Sequence, residues 1–137
     1  MTARKERPLS LKDYQALAEI RHGMRQFLEF SANAARDAGL APAQHQALLA
    51  IKGMPGPATV GTLAEWLGIK PHSAVGLADR LARAKLVVRI RDGGDGRRVH
   101  LALTPRADKT LGALSQVHRA ELRRFSHGLA PLLAVLR

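Results

Sequence analysis

Cysteine is absent from the 137 residues, and with it go disulfides, thiolate metal sites, cysteine nucleophiles and cysteine-based peroxide sensing. Acidic residues are scarce: eleven Asp and Glu stand against 22 Lys and Arg, a formal net charge of +11. Solubility does not require such an excess, so the charge points to a polyanionic partner. Nowhere do about 18 apolar residues run together, which speaks against a membrane-spanning helix. The start, MTARKERPLSLKDYQ, is charged but lacks the apolar stretch of a signal peptide, so a soluble, unexported, cytoplasmic protein is expected. The six histidines, His22, His45, His72, His100, His118 and His127, form no HExxH, and paired carboxylates or a nucleophile motif are missing. The expectation is a protein that is not an enzyme and needs no cofactor.

What is present is enough apolar residue, 46%, for one compact domain spanning 1–137. The basic surplus is spread along the chain but is greatest in residues 58–106, with nine basic and four acidic side chains. Charge alone does not separate DNA from RNA or from an anionic membrane surface.

Periodicity predicts a mainly helical fold with a minor β component. From Leu11 to about Ala38, residues Leu17, Ile20, Met24, Phe27, Ser31 and Ala34 recur at helical spacing. A helix of that length, about 40 Å, exceeds what so small a domain needs internally. Gly39 ends it and Pro42 opens a second helix to Lys52, with Ala47, Leu48 and Ile51 inward. Thr59 suits the cap of a helix from Val60 to Leu67, closed by Gly68. Pro71 restarts helix to Ala84, with Ala74, Leu77, Ala78 and Leu81 on its inner face. Two short helices separated by Gly-Ile-Lys make a helix-turn-helix.

LVVRIR and RRVHLALT then read as two strands joined by the turn DGGDG, with Val99, Leu101 and Leu103 on one covered face. Thr104 caps a last long helix carrying Leu111, Leu114, Val117, Leu122 and Phe125. Gly128 is expected to stop it, leaving a short apolar closing helix with Leu129, Leu132, Leu133 and Leu136. A helix-turn-helix followed by a hairpin is the order of a winged helix, in which one helix enters the major groove and the hairpin tip reaches a minor groove. Asp95 and Arg97 fall at that tip, with Arg89, Arg91 and Arg98 at its base.

These residues resemble the MarR family of bacterial transcription regulators. The likeness spans TVGTLAEWLGIKPHSAVGLADRLARAKLVVRIRDGGDGRRVHLALTPRADKTL with GLAPAQHQALLAI upstream; Asp95-Gly96-Arg97 and the LALTP junction are its most specific pieces. The resemblance implies a winged helix-turn-helix lobe over 42–104, with 9–38 and 105–137 as dimerisation helices. It also implies a homodimeric repressor on a pseudo-palindromic operator in double-stranded DNA, often released by a small-molecule effector. In that frame Arg97 enters the minor groove and Asp95 orients its guanidinium.

The sequence departs from the family pattern where Lys85 and Ala107 replace usual glycines, Gly96 replaces a second wing arginine, and Lys70 replaces a capping serine. Lys70 is thereby a candidate phosphate contact. On the recognition helix His72 and Ser73 lie in the first turn, which meets base edges, and Val75 suits a thymine methyl. Gly76, costly in mid-helix, suits close approach to DNA. Arg80, Arg91 and Arg98 complete the expected DNA-facing set, while Asp79 is expected to orient a neighbouring arginine. An effector pocket is expected near His22 and Phe30, between the first helix and the winged lobe. Two other functions share these residues: a nucleoid-type DNA binder without ligand control, and a metal-responsive regulator using His118 and Glu121, one turn apart, for which further ligands are not evident. No metal site is expected.

Overall fold

The computed structural model describes residues 6–91 and 98–137. The elements run α1 (Leu11–Asp37), α2 (Pro42–Gly53), α3 (Val60–Leu67), α4 (Pro71–Arg83), β1 (Val87–Arg91), β2 (Val99–Leu103) and α5 (Pro105–Val135). This is a mainly α winged helix-turn-helix. The chain divides into two compact units, one of residues 32–117 and one of residues 1–31 with 118–137. Helices α1 and α5 each contribute to both.

In the central unit the core is aliphatic. Leu48, Leu63 and Leu81 are its largest fully buried side chains, joined by Leu77, Leu86, Val87, Leu101, Leu111 and Leu114. Local chemistry starts each element. Gln44 accepts from the Ala41 amide at the head of α2. Thr59 and Thr62 cap α3 reciprocally, each amide donating to the other's hydroxyl at 3.0 and 2.8 Å, so two donors that the helix would orphan are satisfied. The Ala107 amide donates to Thr104 Oγ1 at 3.2 Å at the head of α5.

The hairpin is antiparallel, with Val87 opposite Leu103 and Arg89 opposite Leu101. It is tied down when the Leu101 amide donates to the Ala58 carbonyl at 2.8 Å. Leu101 and Val87 are buried, and Val99 and Leu103 half-buried, as the alternation predicts. The other face differs from the expected polar surface. There β1 presents Val88 and Ile90 to solvent, opposite Ala102 and His100.

The expected inner faces of both long helices hold only in part. Leu17, Met24, Val117 and Leu122 are exposed, not buried. Ile20, Phe27 and Ser31 of the expected α1 stripe do face inward, joined by Ala16, Gly23 and Phe30, and on α5 the expected Phe125 turns inward with His118, Glu121, Leu129 and Leu132. Gly23 faces the Phe125 ring closely: a Cβ there would lie 3.0 Å from Phe125 Cε2, so any larger residue would require the ring to shift. Phe27 stacks on Phe125 with centroids 6.1 Å apart.

Gly128 does not stop α5, which runs unbroken to Val135 with Pro131 inside it. A mid-helix glycine costs about 1 kcal/mol and a proline about 3 kcal/mol. The half-burial of Leu129, Leu132 and Leu136 on the face that carries Phe125 keeps the helical register against those costs.

In the first turn of α1 a carboxylate is locked. Asp13, 1% exposed, accepts from Arg7 Nη1 and Nη2 at 2.5 and 2.7 Å and from the Ser10 amide at 2.7 Å. Arg7 also donates to the Val135 carbonyl at 3.0 Å, so one guanidinium joins the start of α1 to the end of α5. The Arg7 hydrogen bonds, then the Ser10 amide, hold the Asp13 carboxyl well below the usual carboxylate range, against an opposing effect of burial. Because the folded state depresses this group, its contribution is complete above the unfolded value, about 4, and fades as pH falls toward the folded one. Asp13→Asn is expected to lower the melting temperature at neutral pH, with the gap to the unmodified protein narrowing steadily below about pH 4; a pH-independent gap in a thermal-melt series would contradict this.

Lys85 holds the one positive φ among the described non-glycine residues, 58°. It follows α4 in a left-handed turn whose Leu86 amide donates to the Leu81 carbonyl at 2.9 Å, a helix end at which glycine is favoured. Lys85→Gly is expected to stabilise the fold by about 1 kcal/mol, measured by urea denaturation; a destabilised variant would show that the lysine side chain outweighs its backbone strain.

Candidate nucleic-acid interface

The turn between α3 and α4 is set by Gly68, whose φ of 67° is the left-handed conformation glycine adopts without a Cβ penalty. The Ile69 amide then donates to the Ala64 carbonyl at 3.0 Å, and Pro71 opens α4 where its missing N–H costs nothing. Lys70 stands at the N-cap with extended backbone and makes no side-chain cap. Its side chain is exposed.

One face of α4 is buried: Ala74, Leu77, Ala78 and Leu81 are each at most 4% exposed. That burial turns Lys70, His72, Ser73, Val75, Arg80 and Arg83 to solvent. Val75 is 49% exposed, a large apolar group kept in water next to basic and hydrogen-bonding neighbours. Gly76 is half-buried, and the only heavy atom near a Cβ built on it is Arg80 Nη1 at 3.4 Å. Packing inside the protein thus gives little reason for glycine there. Arg80 lies back over this position, as long side chains on a helix do.

The hairpin adds Arg89, Arg91 and Arg98, all exposed. Asp79 Oδ1 accepts from Arg89 Nη2 at 2.5 Å, so the arginine that Asp79 orients is Arg89 on β1. The expected tip residues Asp95 and Arg97, with Gly96, lie outside the described residues. The structure therefore brings together the α4 residues and the base of the hairpin.

The effector candidates separate. His22 borders a cavity of about 320 Å³ lined also by Ile20, Gly23, Phe125 and Leu129. Phe30 instead meets His118, with ring centroids 5.7 Å apart at 65°. A second cavity, of about 500 Å³, lies in the central unit, where Ala38, Leu114 and Val117 form apolar walls and Asp37, Lys109 and Thr110 supply polar groups.

His118, one turn from Glu121, is drawn toward α1. Its Nε2 lies 2.7 Å from Ser31 Oγ, and Phe27 meets its ring edge-on. Glu121 pairs with Arg124 at 3.7 Å. Among the described residues no three His, Asp or Glu side chains are grouped to hold a metal ion. His45 is buried on α2 at 4% exposure. Both histidines sit at helical spacing with apolar neighbours, the one signal that could have placed them inward. Trp66 is 58% exposed on α3. No helix of the described residues is long and apolar enough to cross a membrane.

Comparison with known proteins agrees with this geometry. The MarR family model matches residues 38–98. Among solved structures, RV1404 from Mycobacterium tuberculosis superposes with a TM-score of 0.74 at 22% identity, covering 97% of this chain and 96% of that one. A MarR family protein from Bacillus stearothermophilus gives 0.73 at 19%, covering 85% and 81%. A MepR mutant from S. aureus bound to an oligodeoxyribonucleotide gives 0.70 at 19%, covering 90% and 98%. No curated protein sequence matches the chain. Residues 38–98, which hold the helix-turn-helix and the first strand of the hairpin, are thus similar to the MarR family, and the chain shares the winged-helix fold of solved MarR family proteins.

Proposed function

We propose that the protein is a sequence-specific DNA-binding regulator of transcription, acting as a homodimeric repressor on a pseudo-palindromic operator and released by a small-molecule effector. The observation that carries this is the division of α4: an entirely apolar buried face, and an outer face of Lys70, His72, Ser73, Val75, Gly76 and Arg80 beside a basic hairpin. A helix so placed offers its first turn to base edges in the major groove, while cations around it meet phosphate.

Arg91 and Arg98 extend the phosphate contacts along the hairpin, and Arg97 enters the adjacent minor groove with Asp95 orienting its guanidinium; their role rests on their place in the sequence. The lobe 42–104 reads DNA, and 9–38 with 105–137 join two subunits. Exposed Leu11, Tyr14, Leu17, Met24 and Leu28 on α1, with Val117, Leu122 and Leu133 on α5, support a covered surface of that kind. The cavities beside His22 and beside Lys109 are of a size to admit an effector.

Selection of bound sequences from random duplex DNA tests the function. A two-fold symmetric site supports a dimeric specific regulator. Enrichment of nothing, with a steep salt dependence, would favour a nucleoid-type binder.

On the selected duplex Arg97→Ala is expected to weaken binding by about 1 to 3 kcal/mol with folding unchanged, read by gel-shift titration at fixed salt; equal affinity would remove the hairpin tip from recognition. Gly76→Gln is expected to raise stability by up to about 1 kcal/mol through helix propensity and yet to impair DNA binding through bulk. A footprint like that of the unmodified protein would mark Gly76 as an ordinary surface residue.

A further inference from the structure

We propose that Asp79 is a positioning residue that sets specificity: it holds the Arg89 guanidinium, withholding that cation from the phosphate backbone and fixing β1 against α4. The proposal rests on the DNA-binding function proposed above. Asp79 is the one acidic side chain on α4, among Arg80 and Arg83 on the same helix, and it lies on a surface otherwise suited to a polyanion. A carboxylate there is unfavourable for DNA binding by charge alone. Its side chain is 46% exposed and that of Arg89 42%, and an ion pair so open to water contributes little to folding. Neither affinity nor stability accounts for it.

Geometry does. The Arg89 backbone is anchored independently of the pair, opposite Leu101 in the ladder, and Leu101 is itself buried and bonded to Ala58. The guanidinium then crosses from the middle of β1 to the last third of α4 and meets Asp79 Oδ1 at 2.5 Å. One bond therefore ties the reading helix to the hairpin strand that carries Arg91. The same bond occupies a fork that would otherwise neutralise any phosphate in reach, whatever the sequence. Held cations favour a duplex that fits the fixed geometry, whereas a released one adds the same attraction to every duplex.

Asp79→Asn keeps the shape and removes the charge. On non-cognate duplex the variant is expected to bind several-fold more tightly, with a salt dependence steeper by about one released counterion. On the duplex selected by the unmodified protein it is expected to bind no more tightly, so the ratio of specific to non-specific affinity falls several-fold. The charge exchange Asp79→Arg with Arg89→Asp is expected to restore most of that ratio, a rescue that mere removal of a negative charge does not produce. Melting temperatures of all variants are compared to confirm folding.

Tightening of both duplexes by the same factor in Asp79→Asn, or failure of the exchange to recover the ratio, would overturn the proposal while leaving DNA binding intact. An unmodified protein that prefers no duplex would overturn the DNA-binding function itself, and this assignment with it.

Discussion

Burial of a single face of α4 constrains everything proposed for the protein. Leu77, Ala78 and Leu81 join a core whose other members come from the end of α1, α2, α3, the hairpin and the first turns of α5, and Ala74 is buried on the same face. Rotation of α4 about its axis would expose two leucines and bury Arg80 or Arg83, at a cost of several kcal/mol in transfer and charge burial. The chain thus has one economical way to place this helix, and that way turns its basic face outward. Small residues at 74 and 78 matter as much as the leucines, because they let the helix lie close to its neighbours.

Around that constraint the molecule is arranged to keep the outer face stiff. The reciprocal threonine caps, the left-handed Gly68 and the proline at the head of α4 remove freedom from the approach to the helix. Lys85, strained into the same left-handed region, closes its far end. The Asp79 to Arg89 bond then ties it to β1. A rigid presentation lowers the entropic cost of docking two fixed patches.

Much of this was legible in the sequence, and the exceptions are instructive. The helix-turn-helix was readable residue by residue because Thr59, Gly68 and Pro71 are strong local signals and the inner stripe of α4 has no competitor. The long helices were harder. In α1 two apolar stripes adjoin, Leu17 with Met24 and Leu28, and Ala16 with Ile20 and Phe27, and helical spacing alone merges Leu17 and Met24 with Ile20 and Phe27. The stripe that packs is the one containing Gly23, where an absent side chain makes room for Phe125; such complementarity has no signature in a single chain. Gly128 and Pro131 look like helix breakers for the same reason, since the packing of Leu129 and Leu132 that outweighs them depends on residues a hundred positions away. His118 looked solvated because a polar side chain on a helix usually is, and its partners Ser31, Phe27 and Phe30 lie on another element.

The central claim, that the outer face of α4 sits in the major groove of a duplex gripped by two subunits, is tested most directly by chemical protection of purine N7 atoms, which line that groove. The account expects two protected patches about one helical turn apart, related by a two-fold axis, on a duplex the protein selects. Binding that leaves every N7 reactive, or that protects a single unpaired patch, would contradict it.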